Sequence, residues 1–183
     1  MTIKFKLKKN AKKIDRFLLK FLKKQKKSLL IAPMKYGVIS GGKKIRSTII
    51  FDTGKMLKVE EKKLLSVCTA VECIHSYSLI HDDLPCMDND LIRRGKPSTH
   101  KKFGEATAVL AGNSLLTLAF EIISNKKNFL SPKQKNEIIN LLSYCSGHTG
   151  IAGGQELDLK FENKRKKLSQ IIDMQKKKTG KLF

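Results

Sequence analysis

The sequence has no tryptophan, only four prolines and four cysteines, and only five arginines among its 38 basic residues. Each shortage excludes something. Scarce proline and no alternating apolar–polar run argue against a β-sandwich or a loop-rich chain. Cys68, Cys73, Cys86 and Cys145 form neither a CxxC pair nor a metal-ligand spacing. That argues against a zinc site or a disulfide framework and fits reduced thiols in a cytoplasmic protein. No run approaches ~18 uninterrupted apolar residues, and the N-terminus lacks the apolar core of a signal peptide. The expectation is a soluble, cytoplasmic protein with no stable membrane insertion.

What is abundant is lysine. The formal net charge is +22, which on its face invites nucleic acid or an anionic surface. But the 33 lysines are strewn over every polar segment, as a biased coding sequence would scatter them. No nucleic-acid partner is expected. The arginines are more selective: Arg46, Arg93 and Arg94 fall within two short segments. A guanidinium offers paired donors that match phosphate oxygens, which a lysine does not.

Periodicity reads as all-α, a single domain over residues 1–183. Ile14, Phe17, Leu18, Phe21 and Leu22 form one apolar stripe on a helix within residues 12–30. A turn-like stretch around Pro33 and Gly37 follows, then a helix beginning near Lys43. Residues 60–83 predict a central helix that is apolar on most sides. Helical periodicity returns at 103–125, at 131–147 behind the N-cap pair Ser131–Pro132, and at 167–183. The segment between the last two is glycine-rich and then polar.

The chemistry concentrates in HDDLPCMDNDLIRRGKP, His81 to Pro97. Four aspartates in nine residues repel one another unless a cation lies between them, and two arginines follow at once. Asp82 and Asp88 could not share a face of a continuous helix. Pro85 must end or bulge that helix, and a bulge would bring Asp88 back beside Asp82 and Asp83. Oxygen-only ligands beside phosphate-binding arginines suit Mg²⁺, which is commonly held by one or two carboxylates plus substrate phosphates.

The stretch from Glu72 to His100 closely resembles the first aspartate-rich region of the trans-isoprenyl diphosphate synthases, the farnesyl and geranylgeranyl synthases. GGKKIR at 41–46 is similar to that family's GGKxxR segment, GGQELDL at 153–159 to its GQxxDL helix, and KTG at 178–180 to its Lys-Thr-Gly segment. The resemblance implies a helical bundle of the isoprenoid synthase type. It also implies that Asp82, Asp83 and Asp88 are the catalytic ligands of Mg²⁺. Lys43, Arg46, His75 and Arg94 would bind isopentenyl diphosphate. Arg93, Lys178, Thr179 and Gln155 would serve the allylic diphosphate, with Asp158 in support. Tyr77 and Ser78, just ahead of the first aspartate, would set product length. Tyr77 favours a C15 product over C20. The implied reaction is ionisation of the allylic diphosphate, attack by the isopentenyl double bond and loss of a proton, adding five carbons per cycle.

Two departures from the family pattern stand out. Ser47 replaces a proline after GGKxxR, a change expected to loosen the helix start. The family's second aspartate-rich motif is absent before Phe183, so a chain incomplete at its C-terminus is expected. A homodimer, or pairing with a full-length synthase as a non-catalytic subunit, is the expected assembly. A terpene cyclase would share the aspartates, but it needs neither GGKxxR nor His75.

Overall fold

The computed structural model describes residues 2–39 and 41–183, and the chain divides into two compact units, Met1–Ser131 and Pro132–Phe183. The first holds α1 (Ile3–Leu22), α2 (Ile31–Ile39), α3 (Ile45–Met56), α4 (Glu61–Asp82), a two-residue ladder of β1 (Ile92–Arg93) with β2 (Lys96–Pro97), α5 (Thr99–Phe103) and α6 (Glu105–Ser124). The second holds α7 (Pro132–Ser146), α8 (Ile151–Phe161), α9 (Leu168–Lys178) and a terminal 3₁₀ turn, Gly180–Leu182. The fold is all-α.

α4 is the organiser of the first unit. A helix apolar all round has no face to offer water, and α4 is covered by α6, α3, α1 and α2. Ile74, Cys68, Ala70 and Cys73 are fully buried along it. At its N-terminal end Leu64 and Cys68 close a cluster with Ile14 of α1 and Phe51 of α3. Burial pushes the Cys73 thiol up to about 12, so it stays a neutral apolar filler. α6 is long and apolar enough by composition to cross a bilayer, with a mean hydropathy of 1.6. Its Ala108, Ala111, Leu115, Ala119, Ile122 and Ile123 are instead buried in this unit, where α6 packs along α4.

Two readings of the sequence need correction, and a third, the GQxxDL-like helix, agrees with the structure. Residues 31–39 are a helix, not a turn, because Pro33 lies in its first turn, where the missing N–H has no partner to lose. The polar glycine-rich segment after residue 147 contains α8. There Gly154 allows close approach: a Cβ would lie 2.1 Å from the Lys178 backbone nitrogen of α9. The first helix starts at Ile3 and ends at Leu22, earlier than the 12–30 stripe implied, since the polar stretch Lys23–Ser28 has nothing to bury.

No strand was expected, yet the RRG segment folds as a tiny hairpin. Ile92 pairs with Pro97 and Arg93 with Lys96. The two turn residues, Arg94 and Gly95, both have positive φ, 54° and 73°, as a type I′ turn requires. An arginine there is uncommon and costly. The Tyr36 hydroxyl of α2 donates to the Pro97 carbonyl at 2.7 Å and pins the hairpin in place.

Candidate active site

The cationic side of the site is assembled by the glycine loop that leads into α3. Gly41 and Gly42 have φ near +100° (103° and 101°), a conformation open to glycine and strained for other residues. At Gly42 a Cβ would fall 2.6 Å from the Arg94 guanidinium. The bare backbone therefore lets Arg94 lie flat on the loop and donate to the Gly41 carbonyl. This contact joins the GGKKIR and RRG segments across more than fifty residues of sequence.

His75 faces the same group of cations. Its imidazole is depressed to about 3, first by burial and then by Arg46, Arg94, Lys44 and Arg93. It is neutral at physiological pH and presents an N–H rather than a charge. Arg46 is half-buried, and burial lowers its proton affinity while Glu72 raises it. Lys43 is exposed. Three of the four residues expected to bind isopentenyl diphosphate, Arg46, His75 and Arg94, thus lie near enough for the two guanidiniums to help depress the imidazole. Lys43 is on the same loop.

The acidic side is built differently. α4 ends at Asp82, as Pro85 dictates, rather than bulging. The chain folds back so that the Asp88 N–H donates to the Asp82 carbonyl at 2.8 Å, and the Asn89 N–H to the Leu84 carbonyl at 3.1 Å. Asp88 does return beside Asp82. Asp83 does not join them: as C-cap it keeps helical torsions, and its buried carboxylate accepts both Nε (2.9 Å) and Nη2 of Arg93. Arg93 also donates to Asp90 at 2.8 Å. Burial pushes the Asp83 carboxyl up against the pull of Arg93, while its hydrogen bond to Asp83 holds Arg93 firmly protonated. Among the described residues no three carboxylate, imidazole or thiol groups gather as a metal would need. The expected triad is therefore an Asp82–Asp88 turn beside a separate Asp83–Arg93–Asp90 ion pair network. Two carboxylates on such a turn still fit a hard cation whose remaining ligands are phosphate oxygens and water.

One turn back along α4, Tyr77 is buried and meets His81 edge-on, with centroids 5.7 Å apart at 82°. His81 Nε2 lies 3.1 Å from the Val109 carbonyl of α6. Ser78 donates to the His75 carbonyl at 3.0 Å. In the second unit Lys178 Nζ pairs with Asp158 at 2.5 Å. Gln155 is buried one turn before Asp158, and Thr179 caps α9. Sequence reasoning missed the pairing of Asp90 with Arg93, the two glycines as the seat of Arg94, the bond of Ser47 to Glu72, and the burial of Lys44 and Glu72. Glu72 had a signal: it is the lone acid in the apolar stretch from Leu64 to Ile80.

An all-α fold with a glycine loop leading into α3, an aspartate turn closing α4 and an arginine pair on the hairpin that follows defines a class, and comparison gives it a family. Residues 27–183 match the polyprenyl synthetase family, and the chain belongs to it. It is 51% identical over 146 residues to the farnesyl diphosphate synthase of Buchnera aphidicola subsp. Acyrthosiphon pisum, covering 79% of this chain and 52% of that one. It is 45% identical over 155 residues to the farnesyl diphosphate synthase of Escherichia coli, covering 84% and 52%. Among solved structures, an FPP/GFPP synthase from Zymomonas mobilis superposes with a TM-score of 0.93 at 42% identity, over 98% of this chain and 66% of that one. The chain spans about half the length of the curated relatives it matches.

Proposed function

We propose that this chain carries the substrate-binding side of a Mg²⁺-dependent prenyltransferase that condenses isopentenyl diphosphate with dimethylallyl or geranyl diphosphate to give farnesyl diphosphate. The carrying observation is the seating of Arg94 on Gly41–Gly42, which brings it into one cation group with Arg46 and His75. Two guanidiniums beside a neutral imidazole suit an anion with several oxygens, with Glu72 offsetting only part of their charge.

Arg46, Arg94 and Lys43 neutralise the isopentenyl diphosphate, and neutral His75 donates to it. Asp82 and Asp88 hold Mg²⁺, with Asp83 setting Arg93 rather than the metal. When bound, Mg²⁺ supplies charge stabilisation for the departing allylic diphosphate. Arg93 is poised on the same turn, and exchanging Asp90 for a phosphate oxygen would place it on the allylic substrate. Within the second unit, Lys178, paired with Asp158, and Thr179 and Gln155 form a further group proposed to bind a diphosphate. Tyr77, locked by His81, blocks the tail one turn below Asp82 and favours C15 over C20. The protein works in the cytoplasm as a homodimer.

The test is condensation of isopentenyl diphosphate with geranyl diphosphate in the presence of Mg²⁺, with Asp82→Asn/Asp88→Asn beside the parent. A C15 product lost in the double variant supports the reading. A C20 product reassigns the length limit, and a product that survives the double variant removes the aspartates from the reaction. One second reading is a subunit that binds substrates and needs a longer synthase to turn them over. Diphosphate binding without turnover, with activity restored by an added full-length relative, selects it.

A further inference from the structure

Beside the cation group lies a buried polar network. Glu72 on α4 is 4% exposed, Ser47 on α3 is fully buried and Lys44 is 7% exposed. The Ser47 hydroxyl donates to Glu72 Oε1 at 2.6 Å and lies 3.3 Å from the Cys68 carbonyl. The Cys68 thiol lies 3.4 Å from the Ser47 carbonyl, so α3 and α4 are stitched in both directions. Lys44 Nζ reaches Glu72 Oε2 at 3.8 Å and Asp15 Oδ1 of α1 at 3.2 Å, and it donates to the Val38 carbonyl at 3.2 Å. Four segments therefore meet on two buried charges of opposite sign.

Position explains why this matters. Ser47 directly follows Arg46, and Glu72 precedes His75 by three residues, nearly one helical turn. The bond between Ser47 and Glu72 fixes the rotation of the first turn of α3 against α4, and with it the direction from which Arg46 faces His75. Lys44, its N-cap, is left-handed at φ 45° and makes no side-chain cap bond, so this turn is held by tertiary contacts rather than by a cap. Ser47, expected to loosen the helix start, is instead its anchor.

Resting on the reading of this pocket as the isopentenyl diphosphate site, we propose that Glu72 and Ser47 are positioning residues that hold Arg46 and His75 in register for a common diphosphate. Neither touches the ligand. Charge and position make opposite demands on Glu72, and this separates the proposal from simple electrostatics. An acid near an anion site repels the anion, so Glu72→Gln should tighten binding if only charge counts. If register counts more, the same variant weakens it.

The experiment is calorimetric titration of isopentenyl diphosphate into the full chain and its variants Glu72→Gln and Ser47→Ala, with the His75 imidazole signals followed by NMR. Geranyl diphosphate with Mg²⁺ is the control ligand. The expected result is a loss of affinity on the order of tenfold in both variants, a displaced His75 resonance before ligand is added, and unchanged binding of the control. Tighter or equal binding by Glu72→Gln, with His75 unmoved, overturns the proposal. Should Glu72→Gln fail to fold, Ser47→Ala decides alone, because it removes one hydroxyl and no charge. A parent chain that binds geranyl diphosphate but not isopentenyl diphosphate defeats the reading of the pocket itself, and the proposal falls with it.

Discussion

The two sides of the site, both on or beside α4, solve the problem of holding like charges together in opposite ways. On the cationic side, Arg46, Arg94 and the exposed Lys43 are gathered before any ligand arrives. Their geometry is enforced from beneath by buried contacts: glycine against guanidinium, serine against glutamate, lysine between two acids. On the acidic side the repulsion is relieved from within. Asp83 and Asp90 are taken up by Arg93, and a backbone bond from the Asp88 N–H to the Asp82 carbonyl folds the turn. A diphosphate without a dedicated metal needs donors already in place, since reorganising them costs affinity. A metal-borne diphosphate brings its own organising charge, so its carboxylates can wait on a loop.

The sharpest way to break this contrast is to remove Arg93. Arg93→Met strands the buried Asp83 carboxylate, and the expected loss is about 2–4 kcal/mol, the lower part of the range because Arg93 is partly exposed. Urea unfolding reads it; no loss would mean that the acidic side is not self-neutralised. Gly42→Ala attacks the opposite side. It forces a side chain into a left-handed backbone and displaces Arg94, for an expected cost of about 1–2 kcal/mol and a larger fall in isopentenyl diphosphate affinity. Binding at full strength would show that Arg94 need not rest on the loop.

On the cationic side, the group that responds to acid is His75. The unfolded His75 titrates near its ordinary value of 6.5, but in the fold it is depressed to about 3. Below 6.5 the unfolded chain takes up a proton that the native chain refuses, so stability falls as pH drops through this window, by up to about 1 kcal/mol per pH unit. His75→Gln should flatten that limb of the stability profile. An unchanged limb would assign the acid sensitivity elsewhere. The smallest effect belongs to Lys43→Gln. Its residue is exposed, so the melting temperature should hold while affinity for isopentenyl diphosphate drops by roughly threefold, more at low salt.

Much of this protein was legible before its structure. The helices at Glu61–Asp82, Glu105–Ser124 and Pro132–Ser146 match their sequence periods, because one-dimensional spacing of apolar residues states directly which face is buried. Pro85 announced the end of α4 because a missing N–H acts locally. Less was legible where a residue's effect depends on a distant partner. Ser47 looked like a weakness until Glu72, 25 residues away, turned it into an anchor. Lys44 looked like one more surface lysine, yet it is buried between Asp15 and Glu72. The pairing of Asp83 with Arg93 was not legible either, because a pattern of acids does not say which of them an arginine will meet.

By itself the sequence determined the helical class, the aspartate turn, the arginine pair and membership of a family whose motifs carry them, since each rests on residues close together in the chain. Only the tertiary structure decided which charges are spent holding the fold and which are left for a ligand. That division depends on burial, where a charge must find a partner, and burial is a property of surfaces brought together across the whole chain.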